Sequence, residues 1–98
     1  MAVLHLLYRS PAESSTWSQC WARTGREDAV LLLEDAVYAV AMEPTLEKLA
    51  AASKIFILSA DLVARGVPSS SLPQGVETVD YAGFVELTER YPLSLSWS

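Results

Sequence analysis

The sequence predicts an α/β fold: a small single-domain parallel-sheet sandwich over residues 1–98, with helices on both faces. Three observations carry that expectation. Ala29 to Leu33 is an unbroken apolar run of strand length, the pattern of a strand covered on both sides. Short β-rich stretches alternate with segments of helical periodicity, the order expected of right-handed βαβ crossovers. A chain of 98 residues holds one domain and one core.

Residues 2–8, Ala-Val-Leu-His-Leu-Leu-Tyr, read as a first buried strand. Arg9-Ser10-Pro11 ends it, because proline lacks a ladder donor and pushes the residue before it to extended geometry. Ser14, Ser15 and Thr16 offer helix caps, and Thr16 with Gln19 has capping-box spacing. The helix that follows, to about Thr24, sets Trp17, Cys20, Trp21 and Thr24 on one face, and Gly25 stops it. Ala29–Leu33 is the central strand. Glu34 and Asp35 interrupt the apolar run, and Asp35 is expected to cap a buried helix over Ala36–Ala41.

Met42-Glu43-Pro44 reads as a break. The next helix, Thr45 to Ser53, turns Leu46, Leu49 and Ala50 inward and Glu47 and Lys48 outward. Ile55–Leu58 is a third strand, and Ser59-Ala60-Asp61 is expected to cap a brief helix closed by Gly66. Pro68–Gly75 is the longest loop. Val76–Val79 is a fourth strand. Asp80 caps a helix over Tyr81–Tyr91, with Phe84, Leu87, Thr88 and Tyr91 inward and Glu86, Glu89 and Arg90 outward. Pro92 ends that helix, and Leu93–Trp97 forms a terminal strand.

Composition excludes several function classes. With 51% hydrophobic and 19% charged residues the chain is too apolar for disorder, and part of its surface is expected to lie under a partner. No apolar run approaches the ~18 residues of a membrane span, and the start lacks the pattern of a signal peptide. A cytoplasmic location without a membrane partner is the expectation. Seven Lys and Arg are scattered among twelve Asp and Glu for a net charge of −5, so direct nucleic-acid binding would lack its usual driving force. A single cysteine excludes an internal disulfide, and with a single histidine it argues against zinc. Gly25, Gly66, Gly75 and Gly83 are isolated, so neither a dinucleotide fingerprint nor a P-loop is present and no cofactor is expected.

Three places could carry chemistry. Cys20 is the one thiol able to hold sulfane sulfur or form a covalent intermediate, which makes it the candidate catalytic, persulfide-bearing residue. The helix dipole would lower its pKa, whereas Trp17 and Trp21 beside it would raise it; a buried, inert cysteine is the competing reading and the leading one. His5 lies inside an apolar strand, where a satisfied core histidine is the simpler reading than a general base. Glu34 and Asp35 stand where open α/β sheets place ligands, but adjacent acids do not aim at one reacting atom, and the capping role leads.

Several segments, taken in order, carry a resemblance: Leu4-His5 to Ser10-Pro11, then Asp28-Ala29-Val30-Leu31-Leu32-Leu33-Glu34-Asp35-Ala36-Val37-Tyr38-Ala39. Asp61-Leu62-Val63-Ala64-Arg65-Gly66, Val79-Asp80-Tyr81-Ala82-Gly83-Phe84-Val85-Glu86-Leu87-Thr88 and the closing Trp97 complete it. Together they resemble the TusB/DsrH family of sulfur-relay subunits from end to end, with Ala36 where the family usually has glycine. The resemblance implies a DsrEFH-like fold and a heterohexamer with TusC-like and TusD-like subunits, two copies of each. It implies a carrier that takes persulfide sulfur from TusA and passes it to TusE for 2-thiolation of the tRNA wobble uridine. The principal persulfide cysteine of such complexes belongs to the TusD/DsrE subunit. DsrH-like members, which serve sulfur oxidation, carry a cysteine in the first helix, and Cys20 falls there. The implied role is therefore a subunit that does not itself catalyse; a DsrH-like or direct persulfide carrier using Cys20, and a homo-oligomeric module without sulfur chemistry, are the alternatives. His5, Trp17, Trp21 and Tyr38 are the residues expected near subunit contacts.

Overall fold

Successive side chains of a strand leave on opposite faces, so the apolar run at Ala29–Leu33 needs cover on both. The computed structural model describes residues 2–12, 14–42, 45–70 and 72–97, with the backbone alone at Ser14, Thr45, Lys48 and Ala52. Its strands are β1 (Val3–Leu7), β2 (Ala29–Leu32), β3 (Lys54–Leu58), β4 (Val76–Val79) and β5 (Leu93–Trp97). They form one parallel sheet in the order β4-β3-β2-β1-β5. The helices are α1 (Ser14–Arg23), a 3₁₀ helix (Glu34–Ala41), α2 (Thr45–Ala52), α3 (Ser59–Ala64) and α4 (Tyr81–Arg90).

The strand order explains the layers. From β1 to β4 each crossover steps the same way along the sheet, and a right-handed connection then lands every helix on the same face. Leu7, Val30, Leu32, Ile55 and Ile57 meet Trp17, Cys20, Val37, Leu46 and Leu62 there. The last connection returns from β4 to the opposite edge, so α4 must cover the other face. Leu87, Tyr91 and Phe84 pack there against Leu4, Leu6, Leu31, Phe56 and Leu58.

Several local expectations hold in detail. Trp17 and Cys20 are buried, with Trp21 and Thr24 half-buried on the same side of α1. Gly66, at φ 64, ends α3: its N–H donates to Val63 O at 3.1 Å and the Val67 N–H to Leu62 O at 2.9 Å. That pair of bonds is a Schellman motif, which asks for a left-handed residue at this place. Asp80 caps α4 by accepting from Gly83 N at 2.8 Å.

Other caps differ. α1 begins at Ser14, so Thr16 and Gln19 lie inside it and form no capping box. The segment after β2 winds as a 3₁₀ helix starting at Glu34, and Leu33 takes the N-cap without a side-chain bond. Asp35 is therefore inside the helix, not before it; its carboxylate is exposed and bound to Arg65 instead. Ala36, Val37, Ala39 and Val40 are buried as expected, while Tyr38 is exposed. Leu58 occupies the N-cap of α3, because Ser59 turns its hydroxyl to Val79 O at 3.1 Å and Asp61 accepts from Glu34 N at 2.7 Å. Thr88 faces outward, its hydroxyl bonding back to Val85 O at 2.7 Å. The break at Glu43-Pro44 and the direction of Lys48 lie outside the described residues.

Candidate functional site

Cys20 sits nearly two turns into α1, on the side pressed against the sheet, and is fully buried. A helix dipole acts mainly within the first turn, so it does little for this thiol. Burial pushes the Cys20 thiol up to about 11, and the contact with Thr24 Oγ1 at 4.0 Å pulls only weakly the other way. The Thr24 hydroxyl itself donates to Cys20 O at 2.8 Å. Thr24 also lines an open cleft of about 190 Å³ with Trp21, Gly25, Arg26 and Ser53, whose walls do not include Cys20. In this arrangement the group is a neutral, enclosed thiol.

His5 is equally enclosed, at 1% exposure, and both ring nitrogens are engaged. Trp97 Nε1–H donates to Nδ1 at 3.0 Å, and Nε2 lies 3.0 Å from Asp28 Oδ2. An indole nitrogen only donates, so Nδ1 accepts and the ring proton belongs on Nε2. Asp28 further accepts from Gly25 N at 2.8 Å and from Val3 N at 2.9 Å. Burial alone would push the Asp28 carboxyl up; the Gly25 amide, the His5 ring and the Val3 amide together outweigh it and hold it below the usual carboxylate range. The knot joins the start of β1, the turn before β2 and the end of β5. Nothing in the sequence pointed to Asp28 or Trp97 as partners of His5, although a polar residue set directly before a buried strand is a hint.

At the carboxyl edge of the sheet the two acids after β2 part company. Glu34 takes the left-handed conformation at φ 50, its N–H held by Asp61 and its side chain exposed. Asp35 Oδ1 accepts from Arg65 Nε at 3.0 Å, and Arg65 Nη1 lies 3.6 Å from Asp61 Oδ1. Asp35 raises the Arg65 pKa in return. No hydrogen bond or ion pair joins these acids to Cys20 or His5, so the three candidate places are not brought together. Among the described residues no group of three His, Cys, Asp or Glu could hold a metal ion. No described helix is long and apolar enough to cross a membrane. Of the residues expected near contacts, His5 and Trp17 are buried within the chain, whereas Trp21 is half-buried and Tyr38 exposed.

Comparison with known proteins adds what the geometry leaves open. Two solved structures share the architecture: the YchN protein of Escherichia coli, with TM-score 0.69 and 17% identity over 98% of this chain and 99% of that one, and MTH1491 of Methanobacterium thermoautotrophicum, a protein of unknown function, with TM-score 0.63 and 17% identity over 97% and 96%. At that identity the likeness speaks of the fold alone. The TusB protein of Shigella flexneri is 36% identical over 101 residues, spanning 97% of this chain and 100% of that protein. Residues 9–93 match the family model described as DsrH like protein. With the fold, the segment order and near full-length identity in agreement, the chain belongs to the TusB/DsrH family.

Proposed function

We propose that this chain is a subunit of a TusBCD-type sulfur-carrier complex in the cytoplasm. In this reading it joins TusC-like and TusD-like subunits in a heterohexamer, which takes persulfide sulfur from TusA and delivers it to TusE for 2-thiolation of the tRNA wobble uridine. Family membership supports the general part, a sulfur-relay subunit working with others. The state of Cys20 supports the division of labour. A persulfide carrier needs a thiolate that a donor can reach, and this sulfur is fully buried with its pKa raised to about 11. The travelling sulfur accordingly sits on a sister subunit, and this chain contributes surface and assembly. Its 51% hydrophobic composition, with Tyr38, Val63, Tyr81 and Val85 exposed, fits a protein that buries more area among partners.

Co-expression with the TusC and TusD homologues of the same organism tests the proposal. A defined complex containing all three chains is expected. Failure of this chain to co-purify with either would end it. The DsrH-like alternative, with Cys20 as a direct carrier, requires a movement that exposes the buried sulfur; it is separated by whether Cys20 takes up sulfur from a persulfide donor.

A further inference from the structure

β5 ends the sheet, and nothing in its sequence guards its outer side. Its inner side pairs with β1, and among the described residues no strand follows it in the order β4-β3-β2-β1-β5. The Tyr8 N–H donates to Trp97 O at 3.4 Å, so Leu93, Leu95 and Trp97 aim their backbone groups at β1. Ser94 and Ser96 therefore aim theirs outward. Edges are ordinarily blunted by charge, proline or a bulge. Leu93-Ser94-Leu95-Ser96-Trp97 has no charge and no proline, and it pairs with β1 residue for residue without a bulge.

We propose that the outer edge of β5 is a two-fold contact between two copies of this chain, joined as an antiparallel β5–β5 ladder centred on Leu95. A two-fold contact needs a surface complementary to itself, and this strand is one. With Leu95 opposite Leu95 of the second copy, Ser94 of each copy faces Ser96 of the other. Those are the outward-aimed residues, so each Ser94–Ser96 pair exchanges both its N–H···O bonds. Leu93 then stands across from Trp97 of the second copy. Leu93 is 44% exposed and Leu95 and Trp97 are half-buried, all on one face, so the ladder merges two partly exposed apolar strips. The strand has no charged side chain, so two chains of net charge −5 meet there without like charges opposed. The opposite edge, β4, lacks that advantage: self-pairing would bring two Glu77 carboxylates into one short ladder. A five-residue ladder is small among protein interfaces, so the dimer is concentration-dependent. It leaves both helical layers free, and it holds whether or not the chain also joins sister subunits.

The test uses the full chain. In the proposed register Leu95→Cys sets two cysteines in a non-hydrogen-bonded pair, with Cα atoms about 4.5 Å apart, within disulfide reach. Mild oxidation should then give a linked species of twice 10.7 kDa, whereas Glu77→Cys on β4 should stay unlinked. Cys20 is buried and does not compete. Light scattering on the unsubstituted chain should show the mass rising from 10.7 kDa toward twice that value with concentration. Ser94→Pro, which removes an outward donor and no bond to β1, should abolish the rise while leaving circular dichroism unchanged. A monomer at every concentration would overturn the proposal. So would a dimer in which Leu95→Cys does not cross-link, because the copies would then meet elsewhere.

Discussion

Trp97 Nε1–H donates to His5 Nδ1 at 3.0 Å, across 92 residues of sequence. That bond decides the tautomer of His5 and fastens β5 to β1 beyond the strand ladder. Protonating Nδ1 would set one N–H against another. Trp97→Phe keeps an aromatic ring and removes the donor, leaving a buried ring nitrogen without its partner. A loss of about 1–2 kcal/mol is expected from urea unfolding, with the slope unchanged.

Asp28 gathers three donors, from Val3, Gly25 and His5. Asp28→Asn offers one acceptor oxygen and turns an N–H₂ toward donors, and should cost about 2–3 kcal/mol. Acid titration adds a second readout. The folded pKa lies below the ordinary 3.8 of an aspartate, so the carboxylate's contribution is fully present above that value. It is lost as pH falls through the lower, folded pKa. The unsubstituted protein should thus lose part of its stability below about pH 4, and Asp28→Asn should show a flatter acid limb.

Cys20 should be nearly inert in the native protein. With its pKa at about 11, roughly one thiol in a thousand is ionised at pH 8, and the sulfur is buried besides. Iodoacetamide should modify it only as fast as the chain opens, and quickly in denaturant. Because the folded value lies above the ordinary 9.0 of a cysteine, the thiol's contribution to stability is complete below 9.0 and fades as pH rises through about 11.

Glu34 holds a left-handed backbone at φ 50 with an exposed side chain, and it is the main-chain N–H that donates to Asp61. Glycine takes that conformation without the steric cost of about 1 kcal/mol. Glu34→Gly should leave thermal stability unchanged or raise it by up to about 1 kcal/mol. A clear fall would mean that the Glu34 carboxylate carries a contact of its own.

Much of this architecture was legible in the residues. The unbroken run at Ala29–Leu33 announced a strand buried on both faces, and Gly66 and Asp80 marked helix ends through backbone demands that few residues meet. Strand order was not legible, because an apolar run says that a strand is covered but not which strand lies beside it. Asp35 does not cap as expected, because the helix already starts at Glu34 with Leu33 at its N-cap, and Arg65, thirty positions on, binds the Asp35 carboxylate. The burial of Cys20 followed from the tryptophans flanking it on α1. The partners of His5 did not, since Asp28 and Trp97 reach it only through the closed sheet.

The central claim is that this chain belongs to a sulfur relay without itself bearing the sulfur. Intact-mass spectrometry of each subunit in the co-expressed complex, after loading with a persulfide donor, tests it most directly. The account predicts a gain of about 32 Da on a sister subunit and an unchanged mass for this chain. A stable gain of about 32 Da on this chain, absent in Cys20→Ser, would contradict it.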